Sequence, residues 1–300
     1  MKDYLTEICF EINKINSLHY KYIKNNIESM PNDFKIFANQ YLAEYFDYLI
    51  TNQITFEQAI NAYMNMIKMM MGEQLFFKLN KKYRYSSFEE VNDLVYKNES
   101  FFADYMIGLA LSQFLFKNHY QLFSFFSENI KNIKGDSYLE IGPGHGLFLV
   151  EAIKNNKFQH YTGIDISETS IKGTKQIISK FLENSDRCNL FVQDAMKISD
   201  KNKYDFIVFG ELLEHLENPY EFLQKIKKLL NKNGKAYFST VANAPTIDHI
   251  YLFNSVGEIK EIVQKAGFKI EKEIIISVDD IPEEKWDEKK ANVTYGAIIY

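Results

Sequence analysis

Apolar residues recur at helical spacing through the first 130 or so positions, and then the rhythm shortens. Residues 34–50 (FKIFANQYLAEYFDYLI) place apolar side chains three and four apart, which predicts a helix. Thr55-Phe56-Glu57-Gln58 has the form of a capping box opening the helix TFEQAINAYMNMIKMMM, because the hydroxyl and the amide can satisfy each other's free backbone N–H groups. Ser87-Phe88-Glu89-Glu90 predicts a similar start for a helix running to about Lys97. Residues 101–116 and 120–130 continue the pattern, the latter as a helix that would lean on the first strand. Pro31 and Gly72 are the obvious punctuation, and no fixed-period repeat occurs.

After Gly135-Asp136 the apolar runs become short and strand-like. They cover residues 138–140, 158–166, 189–196, 203–210, 235–241, 269–277 and 292–300. Between them Asn218-Pro219 offers an N-cap and a proline first turn for a helix over 219–230, closed by Asn233-Gly234. Ser255-Val256-Gly257-Glu258 caps another helix that ends at Ala266-Gly267. Strands alternating with helices predict an α/β sheet, here preceded by an all-α module. The expected division is residues 1–132 and 133–300. Residues 278–290 read as an acidic surface connection in which Trp286 is a packing anchor.

The chemistry concentrates where the strands end. Residues 138–150 (YLEIGPGHGLFLV) run from a strand through a glycine bend into a helix start. Glycines let backbone N–H groups approach a ligand, and a helix N-terminus favours negative charge. The spacing is not G-x-G-x-x-G, since Leu147 stands where that pattern needs glycine, and no Gly-Lys-Ser/Thr follows. Asp165 ends the second strand nineteen residues after Gly146, where a sheet of this type sets a carboxylate on a ribose diol. Asp194-Ala195 end the third strand. Gly210 and Glu211 follow the fourth and lead into Leu212-Leu213-Glu214-His215-Leu216-Glu217-Asn218-Pro219.

These four segments, in this order over roughly residues 133–300, resemble the class I S-adenosylmethionine-dependent methyltransferases of the small-molecule type. The resemblance implies a Rossmann-like, seven-stranded, mostly parallel sheet with helices on both faces and one reversed strand at the sheet's end, the segment 293–299. It implies S-adenosyl-L-methionine as cofactor, with the bend at Gly142, Gly144 and Gly146 holding its methionine half and Glu140 orienting that bend toward the amino group. Asp165, with Ile166 beside it, would hold the ribose, and Asp194 and Ala195 the adenine. Gly210 would line the crevice beside Glu211, which is grouped with His215 and His249 as candidate catalytic residues. His215 is the candidate general base, being the side chain most easily tuned near neutral pH. His145 lies inside the bend and is expected to point to solvent or substrate. Two histidines with Asp248 suggest a metal set, but adjacent residues seldom point the same way, so no metal is expected.

Composition narrows the partners. The net charge is −5 with no long basic run, which disfavours a nucleic-acid substrate. The base-methylase segment Asn/Asp-Pro-Pro-Tyr/Phe is absent after the fourth strand, where Gly210-Glu211-Leu212-Leu213 stands. Cys9 and Cys188 are too few for a disulfide scaffold. The N-terminus lacks a signal-peptide core and no apolar run reaches membrane-spanning length, so a cytoplasmic protein with no membrane partner is expected. The expected reaction is methyl transfer to an O, N or C atom of a small molecule, in the style of a natural product. Two alternatives stay open: a non-methylating enzyme that transfers or cyclises the aminobutyrate arm and releases methylthioadenosine, and a cofactor-sensing protein without turnover. The helical module would serve as a lid, a substrate wall or a homodimer interface.

Overall fold

A computed structural model of the chain describes residues 2–182, 187–279 and 281–300. Seven helices come first: α1 (Tyr4–Ile15), α2 (Ser17–Ser29), α3 (Asn32–Thr51), α4 (Phe56–Asn80), α5 (Phe88–Val91), α6 (Glu99–Leu115) and α7 (Lys117–Ile130). Thr55 makes both halves of its capping box with Gln58. Gly72 does not interrupt α4. A Cβ there would meet nothing within 4 Å, so the glycine sits on an open face while the rest of the helix packs on α6. Such a glycine costs about 1 kcal/mol against alanine, less than the burial of one large core residue contributes. The segment after Ser87 widens from α5 into a π-helical turn over Asn92–Tyr96.

The sheet follows with β1 (Ser137–Ile141), α8 (Leu147–Asn155), β2 (His160–Asp165), α9 (Glu168–Phe181), β3 (Cys188–Val192), β4 (Tyr204–Gly210), α10 (Pro219–Leu229), β5 (Leu230–Ala242), α11 (Val256–Lys265), β6 (Ile270–Ser277), α12 (Trp286–Lys289) and β7 (Val293–Ile299). The strand order is β3-β2-β1-β4-β5-β7-β6. β7 is antiparallel to both neighbours, so the reversed strand lies between β5 and β6 instead of at the sheet's edge. β5 begins directly at Leu230, which pairs with Tyr204, while Lys235 pairs with Phe206. Asn233-Gly234 therefore lies inside an irregular strand and does not close α10, whose cap is the extended Leu230. Gly234 is needed there because a Cβ would come within 2.9 Å of the Tyr204 carbonyl.

Alternating strand residues divide two cores. Leu139, Ile141, Ile207, Phe209 and Phe238 face α10 and α11. Tyr138, Tyr161, Phe206, Val208 and Tyr237 face α7, α8 and α9, and this cluster continues without a break into α1, α3, α4 and α6. The helix α7 rests on Tyr237 of β5 and on Phe148 of α8, with Phe126 ring centroids 5.0 and 4.9 Å away. It also reaches toward the β6–β7 side, where Lys272 of β6 and Thr294 of β7 hydrogen-bond Asn129 and Asn118.

Candidate active site

Parallel strands put the ends of β1, β2, β3, β4 and β5 on one edge of the sheet. After β1 the chain turns through Gly142, Gly144 and Gly146 with φ of +70°, +51° and +70°, a conformation other residues enter at a cost. The Gly142 N–H donates to the Ile164 carbonyl at 2.8 Å, and Thr174 Oγ1 donates to the Gly144 carbonyl at 2.8 Å. Met106 of α6 closes over the bend, its methyl carbon 3.4 Å from where a Gly144 Cβ would stand. The His145 ring, expected to face solvent or substrate, is half-buried and caps the following helix. Its Nδ1 accepts from the Leu147 N–H at 3.2 Å, because the first amides of α8 lack helical partners. Burial lowers its pKa to about 4, so the ring is neutral and can accept.

Asp165 is the last residue of β2. Its Oδ1 accepts from the Ser167 N–H at 2.8 Å and its Oδ2 from Ser170 Oγ at 2.6 Å, which leaves a lone pair on each oxygen. Burial raises its pKa, opposed by those donors. Asp194 lies two residues beyond β3 instead of within it, because its carboxylate accepts from Met196 N–H at 2.9 Å and turns the chain into the short 3-10 helix Ala195–Lys197. Ala195 is buried, while Ile166 and Met196 leave apolar surface exposed beside the two acids. Glu140 is buried under the bend and accepts a short hydrogen bond from the Tyr138 hydroxyl. Burial pushes its pKa up to about 8.

A second group of side chains follows β4 and β5. Glu211 sits at φ +48°, its N–H held by the Ser239 carbonyl and hydroxyl at 2.9 and 3.1 Å. Such a conformation stores of order 1 kcal/mol and persists where surroundings over-determine it. Leu213–His215 form a 3-10 turn that carries Glu214 into the interior, where its Oε2 accepts from Thr240 Oγ1 at 2.7 Å. His215 Nδ1 lies 3.0 Å from the Asp248 carbonyl and 3.7 Å from the Asp248 carboxylate. His249 Nδ1 lies 2.6 Å from the Ala244 carbonyl, and the two imidazole rings meet edge to face at 4.8 Å. Asp248 accepts from Tyr105 at 3.0 Å and Thr246 at 2.7 Å. Glu214, His215 and His249 are thus brought together, and Glu211 precedes Glu214 by three residues. Glu214 and Tyr105 were not foreseen, although Glu-x-x-Glu-His spacing puts both acids and the imidazole on about one turn.

A protein-family model described as a methyltransferase domain matches residues 113–273, more than half of the chain. This chain belongs to that methyltransferase family. Its sheet and its E-x-G-x-G-x-G bend are those of the class I S-adenosylmethionine-dependent members, and S-adenosyl-L-methionine is its cofactor. Among curated relatives, the ubiquinone biosynthesis O-methyltransferase of Glaesserella parasuis is 27% identical over 121 residues, 39% of this chain and 50% of the relative. The protein of that name from Coxiella burnetii is 31% identical over 110 residues, 36% and 45% of the two chains. The chain spans about half the length of the curated relatives it matches. A chain of the Haloferax volcanii complex that contains the Trm112 methyltransferase activator superposes with a TM-score of 0.50 at 16% identity, over 68% of this chain and 96% of that one, a likeness of fold.

The residues present fit the cofactor. Asp165 keeps free lone pairs for two hydroxyls, Ile166 and Met196 offer apolar surface for a flat ring, and the raised pKa of Glu140 marks a buried carboxyl that a nearby ammonium group would stabilise in its charged form.

Proposed function

We propose that this methyltransferase domain acts on a small molecule, at an oxygen in the first instance and otherwise at N or C. The observation that carries the reading is the shared edge of the sheet. The cofactor tips of β1 to β3 and the polar group after β4 and β5 lie side by side there, roofed by Met106 and Tyr105 of α6. A roof of helices over a reacting centre excludes water from it. The name shared by the curated relatives supports an oxygen acceptor.

The roles follow from the atoms. Bound S-adenosylmethionine supplies an electrophilic sulfonium methyl. Gly142, Gly144 and Gly146 hold its methionine half, Glu140 its amino group, Asp165 with Ile166 its ribose, and Asp194 with Ala195 its adenine, while Gly210 keeps the crevice open. Holding an acceptor in line contributes about 7–11 kcal/mol in favourable cases. His215 presents its Nδ1 to a carbonyl, which only accepts, so Nδ1 carries the proton and Nε2 has the free lone pair. That nitrogen receives the acceptor's proton, with Glu211 and His249 alongside. Residues 1–132 act as the lid and are the surface through which two copies would pair.

Mass analysis of the nucleoside released from purified protein, S-adenosylmethionine and a panel of phenol, catechol and amine acceptors tests the reading. S-adenosylhomocysteine with a methylated acceptor supports it. Methylthioadenosine, or calorimetry showing no cofactor binding, overturns it.

A further inference from the structure

We propose that Glu211, Glu214, His215 and His249 form a binding site for a first-row divalent cation such as Mn2+. Donor atoms from Glu214, His215 and His249 lie within 4.8 Å of one another. Donors on a common ion at about 2.1 Å stand roughly 3–4 Å apart, so side-chain adjustment alone closes the set.

Three observations point to a cation. One carboxylate oxygen of Glu211 and one of Glu214 are buried without any hydrogen-bond partner. Buried polar atoms are nearly always partnered, and an unpaired buried carboxylate is the costly exception. Both histidines present Nδ1 to backbone carbonyls, Asp248 for His215 and Ala244 for His249. A carbonyl cannot donate, so both rings carry the Nδ1 proton and both Nε2 lone pairs remain free. This is the orientation in which metal-binding imidazoles are held by their surroundings. Two carboxylates also balance a divalent charge, where two unpaired anions side by side would repel.

The donor types select the ion. Carboxylates alone suit Mg2+ or Ca2+, whereas imidazoles with carboxylates and no thiolate favour Mn2+, Fe2+, Co2+ or Zn2+. Where no metal was expected from His215, Asp248 and His249, the proposed set uses a different carboxylate. Asp248 is instead held by Tyr105 and Thr246, and Glu214 takes its place in the set. His215 and Glu211 lie on the more accessible side of the set, toward the crevice. The proposal rests on the functional reading above for its role: the ion would act as a Lewis acid that lets an acceptor hydroxyl release its proton to solvent, and the base role given to His215 above belongs to the ion-free protein.

The test uses the full chain, stripped with chelator and titrated with Mn2+ while the paramagnetic resonance signal of free Mn2+ is followed. One ion per chain is expected, with affinity at least about tenfold weaker in E214Q and in H249A. Co2+ loading of the unsubstituted protein gives a second readout, since its visible absorption reports nitrogen and oxygen ligation without any substitution. S-adenosylmethionine affinity, measured by calorimetry on the same stripped protein, reports separately on the methyltransferase reading. A folded, cofactor-binding chain that takes up neither Mn2+ nor Co2+, or uptake unchanged in both variants, overturns the proposal.

Discussion

Glu140 shows how one residue links sequence, burial and function. Its position two residues before Gly142 is legible in the sequence, but its environment is not. Tyr138, on the same face of β1, donates to it inside a core that excludes water. Its pKa is raised from an ordinary 4.5 to about 8, so the folded chain keeps a proton that the unfolded chain releases. The corresponding stability is fully present below about pH 4.5 and is lost as pH rises through about 8, with a slope of at most about 1.4 kcal/mol per pH unit. E140Q has no proton to lose. Urea midpoints of the cofactor-free protein between about pH 5 and 8 should therefore fall less steeply in E140Q than in the parent. Parallel profiles would show that Glu140 is ionised without cost. Asp165 differs in that burial raises its pKa while the Ser170 hydroxyl and the Ser167 N–H act in the opposite sense, and both donors leave its oxygens able to accept hydroxyls.

Among the elements, caps were legible and endings were not. Ser, Thr and Asn before an apolar turn marked the starts of α4, α10 and α11, because the cap is a local hydrogen bond between residues three apart. T55A should lower stability by about 1 kcal/mol, seen as a melting temperature about 2 °C lower. An unchanged melting temperature would place the start of α4 under tertiary control. The glycine signals misled twice. Gly72 is tolerated because α6 packs along α4, and Gly234 marks a close backbone approach in β5 instead of a helix end. Both depend on neighbours remote in sequence. The strand-tip acids were found because each sits at a fixed place relative to its own strand. Glu214 was missed because its role depends on Thr240 and His249, which β5 and the segment after it bring across.

At the scale of the whole molecule, the helical module and the sheet share one hydrophobic cluster. Phe126 of α7 covers Tyr237 and Phe148, and Tyr41 of α3 lies 4.4 Å from Phe181 of α9. The match to the methyltransferase family likewise begins at residue 113, ahead of α7. Residues 133–300 expressed alone should bind a hydrophobic dye and give a broad thermal transition, because removal of α7 uncovers large aromatic surface. A sharp transition without dye binding would make the sheet an independent domain divided at residue 132. The sequence by itself determined the α/β class, the glycine bend and the acids at the strand ends, since each arises from short-range pattern: alternation along a strand, left-handed glycines, a carboxylate one strand-length away. Only the tertiary structure decided what lies over that edge. The closing of Met106 on the bend, the burial of Glu140 and the convergence of Glu214 and His215 with His249 all require segments far apart in the chain to meet, and no local periodicity encodes such meetings.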